Sequence, residues 1–82
     1  MYYVQFNSIT LATRMKNHFR YSGRRVKMVH TPGEISKGGC SYSLVIEPHL
    51  LNEVLTVAKD YGITVKGVYE QTESGFNEVN NI

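Results

Sequence analysis

A thirteen-residue run, Thr31 to Ser43 (T-P-G-E-I-S-K-G-G-C-S-Y-S), follows neither the helical nor the strand period and divides the chain into two comparable pieces. Pro32-Gly33 and Gly38-Gly39 mark it as a loop, because proline fixes one backbone angle and glycine opens angles closed to other residues. Each flanking piece repeats the same order of signals: strand, helix, strand. A chain of this kind must bring two strand-helix-strand units together around one core.

In the first piece Tyr2 to Phe6 alternates, with Tyr2, Val4 and Phe6 on one face and Tyr3 and Gln5 on the other. Asn7 and Ser8 are residues that accept hydrogen bonds from the free amides of a helix start, and Ala12, Met15 and Phe19 then recur at helical spacing until Gly23. Arg14, Lys16 and Arg20 form the wet face of that helix. Val26 to His30 alternates again and runs into the loop. In the second piece Tyr42 to Glu47 is a strand apolar on both faces, which predicts a central position. Glu47-Pro48 opens a second helix whose stripe Leu51, Val54, Leu55, Ala58 and Tyr61 is closed by Gly62. A last strand spans Ile63 to Tyr69, with Ile63, Val65 and Tyr69 facing inward. Residues 1–70 are expected to form one domain, and 71–82 a polar tail that is loose or docks through Phe76, Val79 or Ile82.

Right-handed connections leave a four-stranded antiparallel sheet with both helices on one face as the simplest packing, the ferredoxin-like α+β arrangement β-α-β-β-α-β. That topology sets the loop and the Asn7-Ser8-Ile9 turn at the same end of the sheet. Free amides and the positive end of the helix dipole at such a turn favour an anion.

Eighty-two residues supply one modest core and leave no chain for a deep catalytic cleft. The net charge of +2, from nine basic and seven acidic residues, names no partner by itself. Arg20, Arg24, Arg25 and Lys27 gather at the end of the first helix around Tyr21. They are read as a solvated helix end, with Arg24 and Arg25 as candidates for docking an acidic protein. The exposed-aromatic motif of RNA-binding sheets is absent, which disfavours single-stranded nucleic acid. The opening Met-Tyr-Tyr-Val-Gln-Phe lacks a basic segment followed by an apolar run, and no stretch approaches a membrane span, so a cytoplasmic protein is expected.

Chemistry converges on Cys40, the only cysteine. One cysteine forms neither an internal disulfide nor a multi-cysteine zinc site, and the three histidines lack metal-ligand spacing; no metal or cofactor is expected. Its neighbours Gly38, Gly39 and Ser41 carry little bulk, so a donor could approach the sulfur closely. Ser36, Lys37 and Ser8 complete the candidate binding set. The competing reading is an inert thiol that only packs. A Cys-His hydrolase would need His30, beside the loop, together with a third orienting group. Lys37-Gly38-Gly39 falls short of a phosphate-binding loop.

The stretch Val29 to Leu44 between two short strand-helix-strand halves resembles a family of small bacterial domains described as selenium/sulfur carrier protein-like. The resemblance covers about residues 2–70. Pro32, Ile35, Ser36 and Cys40 match the family pattern Pro-Arg-x-hydrophobic-Ser followed by Cys-Gly, while Gly33 replaces the arginine and Ser41 the glycine. The resemblance implies a stoichiometric carrier rather than an enzyme, with Cys40 accepting sulfur or selenium as a persulfide or selenide from a donor protein and passing it to an acceptor. An interaction module that pairs with a second copy through the unpaired edge of its second or fourth strand is the alternative.

Overall fold

The computed structural model describes residues 1–21, 23, 26–36 and 41–79. It is an α+β fold with one antiparallel sheet. The elements are β1 (Tyr2–Phe6), α1 (Ile9–Tyr21), β2 (Lys27–His30), α2 (Gly33–Ser36), β3 (Tyr42–Ile46), a 3-10 turn (Pro48–Leu50), α3 (Leu51–Asp60), β4 (Val65–Thr72) and β5 (Gly75–Glu78). The sheet order is β2-β3-β1-β4-β5. Every neighbouring pair is antiparallel.

Both long helices cover one face. Ala12, Met15 and Phe19 of α1 and Val54 and Ala58 of α3 share a buried cluster with Val4, Phe6, Leu44, Ile46 and Val68 from the sheet. This is the alternation of the sequence made physical: Val4 stands opposite both Leu44 and Val68, so one face of three strands is continuously apolar. Helix α1 begins where the cap residues predict. The Ser8 hydroxyl accepts a hydrogen bond from the Leu11 amide at 3.2 Å. At the other end of the second helix, Gly62 adopts φ +70, which lets the Ile63 amide reach the Ala58 carbonyl at 2.8 Å and the Gly62 amide the Lys59 carbonyl at 3.0 Å. This paired closure delivers Ile63 into the core.

Four expectations are corrected. The sheet has five strands, not four, because residues 71–79 take the docked rather than the loose alternative, with Val79 packed against the core, and do so as a strand: β4 runs on to Thr72, turns at Glu73-Ser74, and β5 pairs back along it. The segment reads as polar because β5 is an edge strand with a largely wet face; its one aromatic, Phe76, packs edge-to-face on Tyr3 at 5.0 Å. The unpaired edges are accordingly β2 and β5, and β4 lies between β1 and β5.

The inward set of β4 also differs. Gln5 pairs with Gly67 but Phe6 with Val65, so one extra residue is accommodated and the alternation flips. Val65 and Val68 therefore share the helix side, and Tyr69 stands on the other. Its ring lies over Gly67, where a Cβ would come within 3.0 Å of Tyr69 Cε1.

The α3 stripe is narrower than its spacing predicts, with Tyr61 turned outward. Its hydroxyl sits 2.7 Å from His18 Nδ1 and its ring edge-on to that imidazole, which ties α3 to α1 at the surface. The helix opens with a 3-10 turn, proline starting it at Pro48.

Last, the 31–43 run contains a helical turn, α2. The Pro32 carbonyl accepts both the Ile35 and Ser36 amides at 2.9 Å. Ile35 is buried yet stands apart from the helix-side cluster. Helix α2 also touches β5, at the opposite edge from the strand it follows. Helix α2 thus lies across the face of the sheet that α1 and α3 leave open.

Candidate functional site

The site is built from the two feet of the connection between β2 and β3. Lys37, Gly38, Gly39 and Cys40 lie outside the described residues, as do Arg24 and Arg25. What the structure defines is the frame on either side of Cys40: Ser36 before it and Ser41 after it.

The strand ladder continues one step past the strands proper, the Thr31 amide donating to the Ser41 carbonyl at 3.0 Å. Thr31 and Ser41 follow the pair His30 and Tyr42, so by alternation they face away from the long helices, as Gln5 and Ser43 do. These four polar side chains are enclosed, with exposures of 2% for Gln5, 9% for Thr31, 3% for Ser41 and 0% for Ser43. They satisfy one another. Gln5 Nε2 donates to Ser41 Oγ at 3.0 Å, and Thr31 Oγ1 and Ser43 Oγ share a hydrogen bond at 2.7 Å. Among the described residues no buried side-chain nitrogen or oxygen lacks a partner. Burying hydroxyls and amides is costly unless they are paired, so these pairs fix the register of the feet.

The arrangement gives the segment a stiff base. Ser41 is held by backbone to β2 and by side chain to β1, and it is covalently next to Cys40. Ser36 is half-buried at the end of α2. Sequence reasoning selected Ser36 and Ser41 for their place beside the cysteine and overlooked Gln5, Thr31 and Ser43. The available signal was a polar residue on the second face of a strand predicted to be central, but only the register, Gln5 opposite Ser43, puts those residues together.

Ser8 occupies the same end of the sheet, since β1 ends at Phe6 opposite Tyr42. Its hydroxyl is engaged as the cap of α1. His30 is exposed on the helix side, its Nε2 3.0 Å from the Tyr42 hydroxyl and its ring tilted over that tyrosine at 4.3 Å. The partner of His30 is a phenol, not the carboxylate that a nucleophile-base pair uses as its third member. Among the described residues no group of three His, Cys, Asp or Glu side chains could hold a metal ion. No helix there is long and apolar enough to cross a membrane.

A second feature lies at the far end of the sheet. Of the basic patch, Arg20 and Lys27 fall within the described residues, and Lys16 joins them. The three line an open cleft of about 570 Å³ with Met1, Val26 and Val45.

A family model described as "Putative Se/S carrier protein-like" matches residues 1–70. Neither a curated protein nor a solved structure matches the chain.

Proposed function

This chain belongs to the Se/S carrier protein-like family, and from that premise we propose that it carries sulfur or selenium on Cys40 between a donor and an acceptor protein in the cytoplasm. The single observation behind the reading is the family match over 1–70, a span that contains the chain's only cysteine. The Cys40 thiolate attacks the outer sulfur of a donor persulfide. The donor's S–S bond breaks, the donor leaves as a thiolate, and Cys40 becomes the persulfide. An acceptor nucleophile then takes the outer sulfur and returns Cys40 to a thiolate. A donor bearing selenium in the outer position follows the same exchange without an added oxidant.

Gly38 and Gly39 add no side-chain bulk next to the cysteine in the chain, and Lys37 is read as the cation that replaces the family's arginine, where Gly33 stands. The pinned feet at Thr31, Ser36 and Ser41 support the idea of a short presenting loop on a stiff base. The strands β2, β3, β1 and β4 are read as two interleaved strand-helix-strand units of ferredoxin-like kind, with β5 added at the edge.

The test is intact mass after incubation with a cysteine desulfurase and cysteine, then with the desulfurase and selenocysteine. We expect a reductant-labile gain of one sulfur or one selenium on the wild type and none on Cys40→Ser. No gain from either donor substrate, or an equal gain on Cys40→Ser, overturns the reading.

A further inference from the structure

We propose that the uncovered part of the open sheet face pairs with the same face of a second copy of this chain, about a two-fold axis parallel to the strands. The registers define one row across all five strands: Lys27 opposite Val45, Val45 opposite Tyr3, Tyr3 opposite Tyr69, and Tyr69 opposite Glu78. Each member alternates with a residue of the helix-side cluster or packed on it, namely Met28, Leu44, Val4, Val68 and Val79, so all five stand on the face away from α1 and α3. Lys27 is therefore on the other side of the sheet from Lys16 and Arg20. The next row towards α2 is enclosed at Ser43, Gln5 and Gly67, whereas Val45, Tyr3 and Tyr69 are only half-buried, so the cover stops between the two rows. Phe76, edge-on to Tyr3, adds another half-buried ring. The wet face of an antiparallel sheet is ordinarily polar. A centre of Val45, Tyr3, Tyr69 and Phe76 with charge only at its margins has the composition of an interface.

The charges select the partner and the axis. Lys27 lies on the β2 edge and Glu78 on the β5 edge; both are exposed, and among the described residues neither has an ion-pair partner. A two-fold axis along the strands exchanges the two edges. It sets Lys27 against Glu78 of the partner subunit twice over, Val45 against Tyr69 of the partner subunit, and Tyr3 against its own copy. An axis across the strands would instead oppose lysine to lysine and glutamate to glutamate. The Met1 ammonium and the Glu47 carboxylate lie one step past the pair Tyr2 and Ile46 and contribute opposite signs there. Because α2 occupies the rest of the face, the contact is smaller than a permanent interface and exchanges with the monomer. The same axis brings the β2–β3 connections of both copies to one end of the pair.

The test is sedimentation equilibrium of the full chain under reductant at low salt, from about 10 µM to about 1 mM, a range that brackets micromolar to millimolar dissociation constants. A monomer–dimer equilibrium is expected, with concentration-dependent amide shifts in nitrogen-15-labelled protein centred on Lys27, Val45, Tyr3, Tyr69 and Glu78. Lys27→Glu and Glu78→Lys change exposed edge positions, and each should weaken self-association at least about tenfold, because like charges then meet twice. Mixing the two variants should restore a dimer, since every pair across that mixed interface is again opposite in sign, and the doubly reversed chain should self-associate like the wild type. Dispersed spectra show that each variant folds. Cys40→Ser should associate as the wild type does, so failure of the carrier reading leaves this result standing. The proposal is overturned by a monomer at about 1 mM, by shifts confined to the β2 or β5 edge, by single variants that associate as the wild type does, or by folded variants that fail to associate when mixed.

Discussion

Replacing Gln5 by Leu tests whether the polar pairs on the open face hold the connection that carries Cys40. Leucine keeps most of the volume and suits a strand flanked on both sides, so the change removes chemistry more than shape. In the wild type Gln5 Nε2 donates to Ser41 Oγ at 3.0 Å, and both residues are almost fully enclosed. The loss leaves the Ser41 hydroxyl buried without that partner, and such a group costs about 1–3 kcal/mol. Ser41→Ala leaves the Gln5 amide in the same position and should cost a comparable ~1–3 kcal/mol. The double variant, with both partners gone, should be less destabilised than the sum of the singles by at least about 1 kcal/mol. Urea unfolding measures all three, and thermal melts should fall by roughly 4–8 °C for each kcal/mol lost in a domain of this size. The slope with urea should stay constant. Strictly additive effects, or a Gln5→Leu protein as stable as the wild type, would refute the claim that this hydrogen bond fixes the foot.

Two further outcomes follow from the helix ends. Ser8→Ala removes the acceptor of the Leu11 amide and should destabilise by about 0.5–2 kcal/mol in urea melts, whereas Ser8→Asp, which can still cap, should retain most of the stability. Gly62→Ala meets no neighbour within 4 Å, so any loss comes from its φ of +70 alone; a cost of about 1–2 kcal/mol is expected, smaller for Gly62→Asn, and equal stability of all three would remove strain as the cause.

The helix-side half of the fold could be read from residue spacing because its determinants are local. Ala12, Met15 and Phe19 declare one face of α1, Ser8 declares its start, and Gly62 declares the end of α3. The open-face half depends on pairings between distant residues. Gln5, Ser41 and Ser43 look like ordinary polar residues until the register sets them side by side on the open face. The bulge opposite Gln5 and Phe6 is likewise invisible in β4 alone, and it moved Tyr69 to the other face. Phe76 and Val79 gave the hints of β5, but isolated apolar residues in a polar segment carry no period. Ser36 and Ser41 were selected for their nearness to Cys40 in the chain; that Ser41 is tied to β1 required three dimensions.

Helix α2 rests against β5, and β5 lies past residue 70, where the family match stops. The helical turn that precedes the Cys40 stretch therefore rests on a strand outside the span of the family match. A protein cut back to its first seventy residues would keep its principal core but lose the far abutment of that bridge. Relatives that differ after this point would seat the same helical turn on a looser or tighter support without altering a single residue beside the cysteine.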